Sequence, residues 1–141
     1  VLAARTDAGL ARAAAKRAER WRRITREAAQ QCRRLAPPEI ADPQPLDQAL
    51  AIVSAPQRWL LDESLAGPHL SPLLAPPDPA GAALLTGPEG GFTDPERQTA
   101  LQHHFRPVSL GPLILRAETA PLAALAVLFY ASTAAPSPTT I

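Results

Sequence analysis

Residues 85–92 of this 141-residue chain read LTGPEGGF, a glycine-rich turn between a predicted strand and a predicted helix. The small apolar residues that precede the turn predict a strand over 82–86. Thr93 and Glu96 have the spacing of a capping box, so we expect a helix over about 94–103. Three glycines in five residues permit positive φ angles and close approach of a ligand to the backbone. At the carboxyl end of a strand in an α/β sheet, such a turn lies where ligands bind.

The composition of this turn restricts the ligands that it could bind. The turn has neither the GK[ST] of a Walker A loop nor the GxGxxG of a dinucleotide-binding fingerprint. Glu89 disfavours a phosphate, because a carboxylate repels it. A neutral or cationic ligand that offers hydroxyl or amino donors fits better. Taken by itself, such a turn is more often a purely structural connection between strand and helix.

A second strand–turn–helix unit is predicted over residues 106–130. Its apolar strand ends at the Gly111-Pro112 turn, and its helix begins at about Glu118. Glu118 suits the first turn of a helix, because a negative charge there is stabilised by the helix dipole. A capped helix start with a solvated Arg116 explains the segment as well as a functional role does. Alternating strands and helices indicate an α/β domain with a mainly parallel sheet.

The N-terminal part of the chain contains the clearest helix, predicted over residues 16–35. Its apolar stripe recurs in steps of three and four and consists of Ala18, Trp21, Thr25, Ala28, Cys32 and Leu35. The proline pair at 37–38 is expected to end it. Further along the chain, residues 46–51 predict a short helix, 58–61 a short strand and 62–81 a loop.

Charge is segregated along the chain, although the net charge is only +1. Residues 1–34 contain ten basic and three acidic residues, and the rest of the chain contains four and ten. Such a balance indicates either a surface that faces a polyanion or a solvated helix face. The single cysteine and the lack of zinc-ligand spacing predict no disulfide and no metal. The single cysteine also fits a reducing, cytoplasmic setting. No apolar run reaches the roughly 18 residues of a membrane span, so we expect no membrane association.

Three stretches together resemble the 16S ribosomal RNA uridine-N3 methyltransferases of the SPOUT, or α/β-knot, superfamily. Residues 19–32, followed by 38–40, resemble a helix of that family. Residues 85–92, with Glu96, resemble its GPEGG motif, and residues 110–120 resemble its LGxxILRxETA motif. The two motifs at this spacing are far more specific than either one alone.

The resemblance implies a fold, a cofactor and a cofactor pocket. Proteins of this family end in a deep trefoil knot, a rare exception to the rule against threaded chains. They hold S-adenosylmethionine in a bent form against backbone groups of the two motif loops. We therefore expect an α/β fold with a SPOUT-type trefoil-knotted, mainly parallel sheet flanked by helices. The residues that would line the pocket are Thr86, Gly87, Pro88, Glu89, Gly90, Gly91, Leu110, Gly111, Ile114, Leu115 and Arg116.

The resemblance also implies methyl transfer to N3 of a uridine in 16S rRNA of the 30S subunit. Arg116 is the candidate to stabilise the developing uridine anion. Either Glu118 or Glu89 is the candidate base or ring-orienting group, and the residues do not decide between them. A homodimer is expected. The predicted phosphate contacts of the basic helix are Arg20, Arg23, Arg26 and Arg34.

The chain departs from the family pattern at several points. Arg33 stands where the family often has glycine, and residues 35–37 replace a more polar stretch. The RNA-binding β-barrel and the first strand and helix of the knot domain have no match, and the chain begins at Val1. We therefore expect an N-terminally incomplete SPOUT domain over residues 1–131, inactive by itself, with a strand remnant at its start. A flexible Ser/Thr/Pro-rich tail is expected over 132–141.

Two other hypotheses are open on the sequence. The chain could be a non-catalytic RNA-binding or dimerising SPOUT module, or a SPOUT protein that acts on tRNA. It could also be a structural α/β fragment with fortuitous glycine-rich turns, which the paired motifs disfavour. We interpret His69, His103 and His104 as surface or helix-end residues, and not as metal ligands or acid–base groups.

Overall fold

A computed structural model of the chain describes residues 8–70 and 81–133. In chain order, the elements are α1 (Ala8–Gln31), α2 (Leu46–Ala51), β1 (Gln57–Leu61), β2 (Ala82–Thr86), α3 (Asp94–Gln102), β3 (Arg106–Val108) and α4 (Thr119–Thr133). The predicted short helix and the predicted strands on either side of the 62–81 loop are therefore confirmed. The predicted third strand is shorter than expected, because it ends at Val108 instead of continuing to Leu110.

The three described strands form a parallel sheet in the order β2-β1-β3. Leu61 is in register with Thr86 on one side and with Val108 on the other, so all three strands end at the same edge. The connections that follow them leave the sheet side by side. This confirms the α/β class with a parallel sheet, and it brings the two sequence motifs together at one edge of the sheet.

Each face of the sheet has its own hydrophobic core. Successive strand residues point to opposite faces, so Trp59 and Leu60 at the centre of β1 enter different cores. The core on the side of α2 and α3 consists of Leu46, Leu50, Leu60, Leu85, Phe92, Ala100 and Phe105. The core beneath α4 consists of Trp59, Leu70, Val108 and Ala124, with partly buried residues such as Val127 and Leu128 packed against it. The central strand is thus buried on both faces, as parallel sheets require.

The long basic helix is rotated relative to its predicted apolar stripe. Ala14, Ala18 and Ala29 are buried, whereas Trp21 is 42% exposed and Leu35 is fully exposed. Arg22 lies on the half-buried side, where its Nε donates to the carbonyl of Ile40 at 3.0 Å. The prediction of the buried stripe was therefore wrong beyond Ala18. Hydrophobicity alone favoured the large side chains, but the helix buries small ones and satisfies its partly buried arginine with a backbone carbonyl.

The same helix begins at Ala8 and ends at Gln31, so its predicted bounds were also wrong. Arg33 has a φ of 58°, and the N–H of Arg34 donates to the carbonyl of Ala29 at 2.9 Å. The N–H of Arg33 donates to the carbonyl of Gln30 at 3.3 Å. This is a Schellman motif, which ends the helix before the proline pair is reached. Arg33 therefore occupies the left-handed position that glycine favours.

The remaining differences concern the two ends of the chain. Helix α4 begins at Thr119, one residue after the predicted start, and extends through Thr133. It thus continues two residues into the segment predicted to be a flexible tail. The rest of that segment and the strand remnant predicted at residues 1–4 lie outside the described residues. In the part of the chain described, no helix combines the length and the apolar character needed to cross a membrane.

Candidate functional site

The two motif loops face each other across a cleft at the carboxyl edge of the sheet. The cleft has a volume of about 520 Å³ and is lined by residues from three segments. These are Leu61 to Glu63 at the end of β1, Thr86 to Phe92 except Gly90 at the end of β2, and Ile114 to Glu118 with Ala120 before and within α4. An adjoining cleft of about 200 Å³ shares several of these residues and adds Leu110 and Gly111.

The clefts account for most of the predicted pocket residues. Thr86, Gly87, Pro88, Glu89, Gly91 and Arg116 line the larger cleft, Leu110 and Gly111 line the smaller one, and Ile114 and Leu115 line both. Gly90 is exposed and lines neither cleft. The candidate catalytic residues Glu89, Arg116 and Glu118 all line the larger cleft with exposed side chains. Parallel strand order, and not sequence proximity, brings them together.

The first wall of the larger cleft comprises residues 86–92 and is built into the core. Its closing residue Phe92 is 2% exposed. The N–H of Gly91 donates to the carbonyl of Pro88 at 2.8 Å, and Gly91 has a φ of 67°. A Cβ at Gly87 would lie 3.1 Å from the Phe92 ring, so this glycine makes room for a core side chain. The glycines of this wall therefore serve folding as well as any ligand.

A capping box fixes the helix that follows this wall, as predicted. The Glu96 carboxylate accepts a hydrogen bond from the backbone N–H of Thr93 at 2.8 Å. The Thr93 hydroxyl donates to the same carboxylate oxygen at 2.8 Å. Since the first turn of a helix lacks intrahelical partners for its N–H groups, this arrangement stabilises the start of α3 and the end of the first wall.

The second wall of the cleft comprises residues 110–117 and is held by fewer contacts. The Ser109 hydroxyl accepts from the N–H of Gly111 at 3.1 Å and donates to its carbonyl at 3.0 Å. Gly111 has a φ of 129°, and Leu113 and Ile114 are 78% and 79% exposed. The carbonyl of Arg116 accepts from the N–H groups of Thr119 and Ala120 at 2.8 and 3.0 Å. The backbone of Arg116 thus starts α4, while its side chain extends into solvent beside the cleft.

The sequence analysis did not identify Asp62, Glu63 and Arg97. Asp62 directly follows β1, its side chain is 3% exposed, and it accepts from Arg97 Nε at 2.8 Å. This hydrogen bond is the main cause that raises the pKa of Arg97, and burial of the guanidinium opposes it. The sequence signal that could have identified Asp62 and Glu63 is their position as an acidic pair directly after a buried strand. The partner on α3 could be found only from the fold.

Three of the four predicted RNA-contacting arginines lie on the exposed side of α1, and the fourth follows its end. Arg20, Arg23, Arg26 and Arg34 are all exposed. Arg23 lies 4.0 Å from Glu27, and Arg26 donates to the carbonyl of Arg22 at 3.2 Å. None of these four lines either cleft. Their exposure agrees with a phosphate-binding surface and equally with a solvated helix face.

The histidines take the positions expected for surface and helix-end residues. His69 is exposed, with its Cε1 atom 3.9 Å from the position of a Cβ at Gly111. His103 and His104 end α3. Among residues 8–70 and 81–133, no group of three or more His, Cys, Asp or Glu side chains is arranged to hold a metal ion.

Comparison with known proteins connects these loops to one family. Residues 1–129 match the model of a family described as an RNA methyltransferase domain. The chain is 42% identical over 124 residues to ribosomal RNA small subunit methyltransferase E of Synechocystis, covering 86% of this chain and 41% of that protein. It is 36% identical over 123 residues to the protein of the same name from Bacillus subtilis, covering 83% and 48%. The chain thus spans less than half the length of these relatives.

Two solved structures resemble the fold of the chain. A Legionella pneumophila protein in complex with the bound cofactor SAM has a TM-score of 0.78 at 34% identity, covering 92% of this chain and 53% of that one. Ribosomal RNA small subunit methyltransferase E from Neisseria gonorrhoeae, bound to S-adenosyl methionine, has a TM-score of 0.72 at 35% identity, covering 82% and 48%.

Proposed function

We propose a methyl-transfer function for this chain, which belongs to the RNA methyltransferase domain family. The chain forms part of an enzyme that methylates N3 of a uridine in 16S rRNA of the small ribosomal subunit. S-adenosylmethionine is the methyl donor, and the enzyme works in the cytoplasm. The observation that carries this proposal is the convergence of both motif loops on one cleft at the carboxyl edge of the parallel sheet.

The cleft suits S-adenosylmethionine in size and chemistry. Its volume of about 520 Å³ lies within the range of about 300–1,000 Å³ that is typical of small-molecule sites. Glu63 and Glu89 provide carboxylates beside the cleft for a ligand that carries positive charge on its sulfonium and amino groups. The lack of side chains at Gly91 and Gly111 lets a ligand approach the backbone closely. A cofactor that spans both clefts would lie bent between the two motif loops.

The side chains around the cleft can support attack by N3 of uridine. The cofactor supplies an electrophilic methyl group when bound. N3–H is weakly acidic, so its proton must be removed before or during the transfer. Arg116 would stabilise the negative charge that develops on the uracil ring. Glu118 or Glu89 would accept the proton or orient the ring, since both line the same cleft as Arg116.

The RNA would be held by the basic face of α1. Arg20, Arg23 and Arg26 are exposed along this helix, and Arg34 is exposed just after it. Guanidinium groups on one helix face bind phosphates without reading sequence, so this face would contribute affinity and orientation. Recognition of the target uridine itself would belong to the cleft.

We further propose that the fold contains the trefoil knot and that the enzyme is a homodimer. Helix α4 exposes Leu122, Leu125 and Phe129 in steps of three and four, on the side away from the core. A contiguous apolar helix face of this kind fits a self-complementary interface with a second copy. Leu122→Glu combined with Leu125→Glu should shift the protein to monomer in sedimentation velocity, and an unchanged dimer would contradict this interface.

The test of the catalytic proposal is methyl transfer from labelled S-adenosylmethionine to unmodified 30S subunits by the complete enzyme that contains this chain. Arg116→Ala should lower the rate by about 10²-fold, the usual effect of removing one group that stabilises developing charge. Arg106→Ala is the matched control, because this arginine is exposed on β3 and lines neither cleft. Full activity of Arg116→Ala would refute the role of this residue. Failure of the folded protein to bind S-adenosylmethionine in calorimetry would favour a non-catalytic module.

A further inference from the structure

The Asp62 carboxylate is buried at the edge of the cleft, yet both of its oxygens are engaged within the protein. Its side chain is 3% exposed. Oδ2 accepts from Arg97 Nε at 2.8 Å, and Oδ1 accepts from the backbone N–H of Ser64 at 2.8 Å. Asp62 lines both clefts, but its carboxylate oxygens bind protein groups, so its role is structural and not direct contact with a ligand.

Arg97 connects this carboxylate to the start of α3. Its side chain is 13% exposed and uses all three nitrogens of the guanidinium. Nε donates to Asp62, Nη2 donates to the Ser64 hydroxyl at 2.9 Å, and Nη1 donates to Asp94 Oδ1 at 2.7 Å. A planar guanidinium can serve three partners at fixed directions, which a lysine ammonium cannot reproduce. One side chain thus ties the turn after β1 to the first turn of α3.

The two connected segments belong to different sides of the cleft. Glu63 lies in the turn after β1 and lines both clefts. Helix α3 continues directly from the first wall through the capping box of Thr93 and Glu96. The contacts of Arg97 therefore fix the position of Glu63 relative to the GPEGG loop. A buried ion pair is weak evidence for stability, because desolvation offsets the attraction, so its principal consequence here is orientation.

We propose that Arg97 and Asp62 are positioning residues for the cofactor cleft. They hold the turn at residues 62–64 against α3, so that the first wall and Glu63 are spaced for S-adenosylmethionine before it binds. This inference rests on the proposed function. A displacement of about 1 Å at such a site is enough to lower efficiency by one to two orders of magnitude.

The test compares cofactor binding with folding in conservative variants. Arg97→Lys keeps the charge and Asp62→Asn keeps the shape of the side chain. Each should weaken binding of S-adenosylhomocysteine in calorimetry by on the order of tenfold. Each should raise the KM for S-adenosylmethionine similarly, with kcat at saturating cofactor within about threefold of wild type. The double variant should lose less affinity than the sum of the two single losses, because both changes break the contact between Arg97 and Asp62.

Controls separate this role from general stability. Arg106→Lys is the matched control, because it changes an exposed arginine outside the clefts, and it should bind like wild type. Wild-type affinity in Arg97→Lys or Asp62→Asn would overturn the inference and leave the proposed function intact. The inference would also be overturned if each variant bound S-adenosylhomocysteine like wild type at temperatures below its melting transition. The loss of affinity would then come from unfolding. A wild-type protein that is folded but binds no cofactor would overturn the proposed function and this inference together.

Discussion

The two walls of the cleft differ in what determines their conformation. The first wall, residues 86–92, lies between the buried Leu85 and Phe92, has an internal turn hydrogen bond and continues into a capped helix. The second wall, residues 110–117, packs Leu110 against the core beneath α4 but exposes two large aliphatic side chains. Its turn is held by one serine hydroxyl and the start of α4. The first wall is therefore part of the folded core, whereas the second wall leaves apolar surface for another molecule to cover.

This difference assigns separate tasks to the two walls. A wall fixed by the core can present backbone groups in one geometry before any ligand arrives, which lowers the entropic cost of binding. A wall with exposed Leu113 and Ile114 gains stability when a cofactor or a partner surface covers these side chains. We therefore expect changes in the first wall to affect folding, and changes in the second wall to affect binding.

The largest expected effect is on the buried ring that closes the first wall. Phe92→Ala should lower the free energy of unfolding by about 3–5 kcal/mol, because it leaves a cavity in the core of Leu60, Leu85 and Phe105. Ile114→Ala, the control on the second wall, should change it by no more than about 0.5 kcal/mol, because the side chain is exposed. Urea unfolding followed by circular dichroism measures both. Equal losses in the two variants would remove the distinction between the walls.

The sequence could predict the first wall because its determinants are local. The strand, the glycine-rich turn and the Thr93–Glu96 pair all lie within residues 82–96, and each has a short-range physical reason. The meeting of this wall with Arg116 was expected only from the resemblance of the paired motifs. Nothing local to either segment indicates which strands are neighbours, since parallel pairing depends on crossover connections.

The errors of prediction arose from tertiary contacts and, at the end of α1, from a local motif with an arginine at a position that glycine favours. Trp21 and Leu35 suited an apolar stripe, but the fold instead buries three alanines of α1 and gives the half-buried Arg22 a carbonyl partner. The end of α1 was assigned to a proline pair, although a Schellman motif at Arg33 ends the helix earlier. The contact of Arg97 with Asp62 joins residues 35 positions apart, so it could not be predicted from local sequence patterns.

The second-largest expected effect, on stability and cofactor affinity, comes from substituting the glycine with positive φ in each wall. Gly91→Ala, at φ 67°, should cost about 1–2 kcal/mol of stability, because the hydrogen-bonded turn of the first wall cannot relax. Gly111→Ala, at φ 129°, introduces strain into a wall that is held by few contacts. We expect this variant to relieve its strain by shifting the loop, with a smaller loss of stability and a larger loss of S-adenosylhomocysteine affinity. Thermal unfolding and calorimetry on both variants measure this, and the opposite pattern would contradict it.

The smallest effect concerns the far end of the helix that anchors the first wall. His104 has a φ of 63°, and the N–H groups of His104 and Phe105 donate to the carbonyls of Leu101 and Ala100 at 2.9 and 3.0 Å. A Schellman motif of the same kind ends α1 at Arg33. At the end of α3, however, the residue that follows the left-handed position is Phe105, which is buried in the core. His104→Gly should raise the free energy of unfolding by roughly 0.5–1 kcal/mol, because glycine relieves the left-handed strain but adds entropy to the unfolded chain.

Arg33→Gly should relieve the same local strain. However, its effect on global unfolding should be smaller, because the end of α1 is exposed and can fray without disturbing either core. Chemical denaturation of the two variants separates these outcomes: an equal gain at both sites would show that the end of α1 unfolds cooperatively with the sheet, and a loss at His104 would show that its side chain contributes more than its strain costs.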